Sequence, residues 1–146
     1  MKRLLLAMAM TFCAATAFAD DDYVRIQNRW KQNEFIHIEH GHVQSGGIAS
    51  GWWSAQWSLE PTESGHWRIR NRWKEDECLH IEYGDLESSP IKQGWWSAQW
   101  SLDTNDEGYA RICNRWKPDQ CLHIEHGAIE AGRIKPGWWS ALWIIQ

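Results

Sequence analysis

Apolar and polar residues alternate along much of this chain. Val24-Arg25-Ile26 and Phe35-Ile36-His37-Ile38-Glu39 show a period near two, the pattern of half-buried strands, and helical periodicity is absent. Between those two strands lies Asn28-Arg29-Trp30-Lys31, followed by turn formers such as Asn33. His40-Gly41 then predicts a tight hairpin, because glycine supplies the positive φ that such a turn needs. A short third strand through Val43 and a turn at Gly47 lead into Gly51-Trp52-Trp53-Ser54-Ala55-Gln56-Trp57, read as a fourth strand.

The whole pattern recurs. The tryptophan run returns unchanged at Gly94 to Trp100, and at Gly137 to Trp143 with Leu142 in place of Gln, which sets a repeat of 43 residues and units of 24–66, 67–109 and 110–146. Four strands in each of three units make twelve. The all-β architecture that closes three four-stranded units is a β-trefoil, a six-stranded barrel capped by three hairpins, and closure removes the sheet edges that would otherwise be exposed. Within the run, Ala55, Trp57 and Leu59 share one face, which predicts that Trp57, Trp100 and Trp143 are core. The same parity turns Trp53, Trp96 and Trp139 inward and Trp52, Trp95 and Trp138 outward, unless a bulge at Gly51, Gly94 or Gly137 breaks it.

The first nineteen residues differ from the rest. Lys2 and Arg3, an apolar stretch from Leu4 to Phe12 and the exit Ala17-Phe18-Ala19 predict a secretory signal over 1–19, cleaved before Asp20, and too short to span a bilayer. The mature chain, 20–146, suits a single domain and holds thirteen basic against nineteen acidic residues, a net charge of −6 with neutral histidines. That balance argues against binding nucleic acid or an anionic membrane surface. Export, to the periplasm or beyond it, permits disulfides. Three cysteines remain, and a hairpin register pairing Ile112 with Leu122 sets Cys113 opposite Cys121, predicting a disulfide there. Cys78 faces Arg70 instead and is expected to be free or to bridge two molecules.

The corresponding register in the first unit places Arg25 opposite His37, with Glu39 two residues on and sharing its outward face. The cluster repeats as Arg68, His80 and Glu82, and as Arg111, His123 and Glu125. It reads as a cross-strand polar ladder, as the polar half of a sugar site completed by Trp52, Trp95 or Trp138, or as a metal site. The last is disfavoured because His42 has no counterpart in the other units, where Asp85 and Ala128 stand. Trp30, Trp73 and Trp116, beside Arg29, Arg72 and Arg115, are expected to take part in cation–π stacking inside the fold.

Cys121-Leu122-His123-Ile124, its counterparts at Cys78 to Ile81 and Phe35 to Ile38, and the Ala-Gln-Trp ending of the tryptophan run resemble the ricin-type β-trefoil lectins over the whole mature length. Two departures stand out. That family's sugar-binding Asp falls on His37, His80 and His123, and the first Gln of its Gln-x-Trp signature falls on Ala55, Ala98 and Ala141. The resemblance implies the trefoil fold and glycan binding without carrying over the galactose chemistry.

No nucleophile, base and orienting group recur together, so an enzyme is not expected, nor a cofactor. The sequence therefore points to a secreted, noncatalytic, lectin-like glycan-binding module with up to three equivalent sites. The alternative is a protein-binding trefoil whose partner is another secreted protein, such as an enzyme it inhibits.

Overall fold

The alternating segments form twelve short strands in the computed structural model, which describes residues 22–146; the secretory signal expected over 1–19 lies outside the described residues. In chain order they are β1 Ile26–Asn28, β2 Phe35–His37, β3 Gln44–Gly46, β4 Trp57–Pro61, β5 Trp67–Asn71, β6 Cys78–His80, β7 Glu87–Ser89, β8 Trp100–Thr104, β9 Ala110–Asn114, β10 Cys121–His123, β11 Glu130–Gly132 and β12 Trp143–Ile145. All pairings are antiparallel. Six strands close a ring: β12 on β1, a bridge from Val24 to Trp57 joining the first strand's edge to β4, then β4 on β5, β5 on β8, β8 on β9 and β9 on β12. The hairpins β2–β3, β6–β7 and β10–β11 cap it. This is the β-trefoil.

The hairpin registers follow the reading from sequence. Gln27 pairs with Phe35, Arg70 with Cys78 and Cys113 with Cys121, and the last pair is a disulfide with sulfurs 2.03 Å apart. Cys78 is a free thiol and fully buried, which removes bridging between molecules from its options. Gly41, Gly84 and Gly127 hold the positive φ that the hairpin turns require.

The core is three-fold in composition. Ile26, Ile69 and Ile112 from the barrel meet Ile36, Leu79 and Leu122 and Ile38, Ile81 and Ile124 from the caps. Trp57, Trp100 and Trp143 fill the space between, all with no exposed surface. Each buried indole N–H donates to a strand carbonyl, of Ile36, Leu79 and Leu122 respectively, at 2.9–3.0 Å, so no polar atom of these rings is stranded in the interior. No helix among the described residues is long and apolar enough to cross a membrane.

Candidate functional site

The tryptophan run is not a continuous strand. Its first Trp is extended (Trp95 has φ −72° and ψ 111°), and the next three residues, Trp53–Ala55, Trp96–Ala98 and Trp139–Ala141, form a single 3₁₀ turn before the strand begins at the buried Trp. A 3₁₀ turn repeats every three residues, so alternation cannot be extended backwards through it. The orientation expected from parity is therefore reversed. Trp53, Trp96 and Trp139 are the exposed members, at 51–53%, while Trp52, Trp95 and Trp138 are only partly exposed.

Neighbouring units lock together at this turn. Asn114 Oδ1 accepts the backbone N–H groups of Trp116 and Lys117, shaping the loop that carries Trp116, while its Nδ2 donates to the Ser97 carbonyl of the preceding unit at 2.9 Å. Asn28 does the same between Trp30 and Ser140, and Asn71 between Trp73 and Ser54. Arg115 lies 3.8 Å from the Trp96 ring centroid and donates to Gln99 Oε1; Arg72 repeats this with Trp53 and Gln56. Arg29 stacks on Trp139 at 3.9 Å, but Leu142 offers no amide, and its guanidinium pairs with Glu107 instead. The arginines thus stack on a tryptophan of the neighbouring unit, not on Trp30, Trp73 or Trp116 beside them. Those three are 45–47% exposed, with Lys31, Lys74 and Lys117 over their rings.

Two concavities result. Glu82, Trp95, Trp96 and Ser97 from the second unit face Trp116 of the third around about 330 Å³. Glu125, Trp138, Trp139 and Ser140 face Trp30 of the first around about 500 Å³. Both volumes fall within the usual range for small-ligand sites. The counterparts Glu39, Trp52, Trp53, Ser54 and Trp73 share the same turn, cross-unit hydrogen bond and exposures. In each unit the serine hydroxyl donates to one carboxylate oxygen, Ser54 to Glu39, Ser97 to Glu82 and Ser140 to Glu125, at 2.5–2.6 Å.

The Arg/His/Glu cluster does not act as a unit. His37, His80 and His123 are buried, not outward, because the rings of Trp52, Trp95 and Trp138 pack against them on the face that alternation left open. Each ring's Nδ1 accepts the backbone N–H of the glutamate two residues on at 3.1 Å. Burial lowers the pKa of all three imidazoles, favouring the neutral ring, whose proton then sits on Nε2. Arg25, Arg68 and Arg111 turn away to the carbonyls of Ser50, Gln93 and Pro136, in the bends that lead into the tryptophan run. Of the residues singled out from sequence, the glutamates and Trp95 and Trp138 line the concavities, while the histidines and arginines support their surroundings. Each histidine also packs edge-on against Trp52, Trp95 or Trp138, with centroids 5.5–5.7 Å apart.

His123, His126 and Glu130 bring three potential metal-ligating atoms within 4.8 Å of one another. The His123 tautomer opposes ligation, since Nδ1 is committed as an acceptor and Nε2 carries the proton. In the second unit the equivalent Nε2 lies 2.5 Å from Ser89 Oγ, a hydrogen-bonding geometry.

The strands, caps and cross-unit contacts define a β-trefoil, and comparison with solved structures agrees on the fold. A GlcNAcα1-4Gal-releasing endo-β-galactosidase from Clostridium perfringens superposes with a TM-score of 0.75 at 33% identity, over 84% of this chain and 31% of that one. This chain thus spans less than a third of that enzyme. The designed three-fold symmetric protein ThreeFoil matches with a TM-score of 0.77 at 17% identity, over 86% of this chain and 98% of its own. SeviL, solved bound to asialo-GM1 saccharide, matches with a TM-score of 0.69 at 20% identity, over 86% and 96%. No protein-family model matches the chain, and no curated protein sequence does.

Proposed function

We propose that this protein is an exported, noncatalytic glycan-binding module whose sites are the three grooves between units. The observation that carries the reading is the meeting, in both concavities, of half-exposed tryptophans from two units with a glutamate carboxylate in the same lining. A sugar ring offers C–H faces that stack on indoles and hydroxyls that donate to a carboxylate, and a site of this kind needs few polar groups if they are well placed. Trp53, Trp96 and Trp139, with Trp73, Trp116 and Trp30, form the walls; Glu39, Glu82 and Glu125 accept hydrogen bonds; Trp52, Trp95 and Trp138 complete the lining. The saccharide seen in SeviL and the activity of the clostridial enzyme support the ligand class without fixing the sugar. The basic, apolar and small-residue pattern of residues 1–19 supports export.

A glycan array probed with the mature protein should give a defined set of hits, which the triple variant Trp53→Ala/Trp96→Ala/Trp139→Ala loses while keeping its far-ultraviolet circular dichroism. Single variants should weaken binding to multivalent ligands more than to a monovalent sugar. A blank array, together with stoichiometric capture of one secreted protein, would replace this reading with the protein-binding one.

A further inference from the structure

Each groove contains one acceptor that its surroundings leave half used. Glu82 Oε1 takes the Ser97 hydroxyl, Glu125 Oε1 that of Ser140 and Glu39 Oε1 that of Ser54, while among the described residues no donor hydrogen-bonds to the second carboxylate oxygen in any of the three. No basic side chain lines either measured concavity; the lining is tryptophan, glutamate, serine and glycine. The same rings take part in cation–π contacts with side chains that do not line the groove, Arg115 at 3.8 Å from Trp96 and Lys117 at 4.7 Å from Trp116. A carboxylate with no basic partner in the lining is poorly matched to a carboxylated or sulfated sugar. It is well matched to a cation with an apolar collar, attracted to the ring faces and the carboxylate at once.

We infer that the grooves recognise an ammonium group carried by the glycan, either the protonated amine of an unacetylated amino sugar or a quaternary ammonium substituent. The inference rests on the grooves being the glycan sites and names the chemistry they select. The carboxylate sets charge preference, and the tryptophan pair sets the apolar surroundings. The three copies share this arrangement because the Ser–Glu bond and the Trp-bearing loop repeat in every unit.

Tryptophan fluorescence of the mature protein would be titrated with a glucosamine tetramer under conditions where its amines are protonated, with its fully N-acetylated counterpart, and with choline chloride. The expected result is that the glucosamine tetramer binds about tenfold more tightly than the acetylated one, and that Glu39→Gln/Glu82→Gln/Glu125→Gln removes this difference. Glutamine retains an acceptor oxygen for the serine, so the turn survives and the loss reports charge. Competition by choline assigns the grooves to quaternary groups, and preference for the amine with no effect of choline assigns them to amino sugars. Equal binding of both tetramers, unchanged by the glutamine variant, overturns the ammonium inference and leaves glycan binding standing. Failure of all three probes to bind, beside array hits on neutral glycans that Trp96→Ala weakens, also overturns it. A blank array with no binding of any probe takes the glycan reading down as well.

Discussion

Replacing Trp100 by alanine tests the core and the reversal at the 3₁₀ turn together. Trp100 is fully buried at the start of β8, and its indole N–H donates to the Leu79 carbonyl at 3.0 Å. Loss of the ring costs about 3–5 kcal/mol through transfer and cavity terms. The orphaned carbonyl adds about 1 kcal/mol, so the change should cost about 4–6 kcal/mol. That is a large share of the roughly 5–15 kcal/mol that holds a domain folded. Trp96, four residues earlier, is 52% exposed and stacks on Arg115, a contact worth about 1 kcal/mol at such a site. Urea denaturation of the two variants, compared at constant m, should lower the midpoint for Trp100→Ala by about 2 M or more and for Trp96→Ala by less than about 1 M. Equal losses, or a larger one for Trp96→Ala, would refute the placement of these rings and with it the groove.

Two further outcomes follow from the titratable groups. Burial pushes the Cys78 thiol up to about 11 and removes it from solvent, so an alkylating reagent at pH 8 should leave it unmodified in the native protein and label it rapidly in urea; rapid native labelling would contradict its burial. The imidazoles of His37, His80 and His123 are held below their ordinary value by burial, so the unfolded chain takes up protons first as pH falls. Their contribution is complete above about pH 6.5 and is lost below it as pH falls through the native values. Stability measured at pH 7.5 should exceed that at pH 5.0, and by a smaller margin in His80→Gln; a margin undiminished by that change would show that His80 does not carry its share.

The barrel was legible because its signals are local and repeated. Alternation places Ile26, Ile36 and Ile38 in the core, and the hairpin register gives the Cys113–Cys121 bond from two positions alone. The groove was not, for two physical reasons. Parity was carried from Trp57 back through Trp53, where a 3₁₀ turn resets the period, so the exposed and partly buried tryptophans were exchanged. His37 and Glu39 were placed on one outward face, yet Trp52 covers the His37 ring, and the chain bends at Glu39 as its N–H bonds back to that ring. Trp30, Trp73 and Trp116 were assigned to the interior, although a large aromatic kept at the same loop position in all three units was a signal for the wall they form.

The Asn and Trp of each loop belong to one unit and the turn they hold to another, so no groove is complete within a single repeat. The groove formed by Trp139 and Trp30 joins the third unit to the first, alongside the seam where Ile145 of β12 pairs with Ile26 of β1. A ligand seated there acts as a clasp between the two ends of the ring. By linkage it stabilises the closed form over any form in which β1 has peeled from β12, by RT ln(1 + [L]/Kd). Saturation of that groove would therefore appear as slowed amide exchange along β1 and β12, in strands that do not touch the ligand.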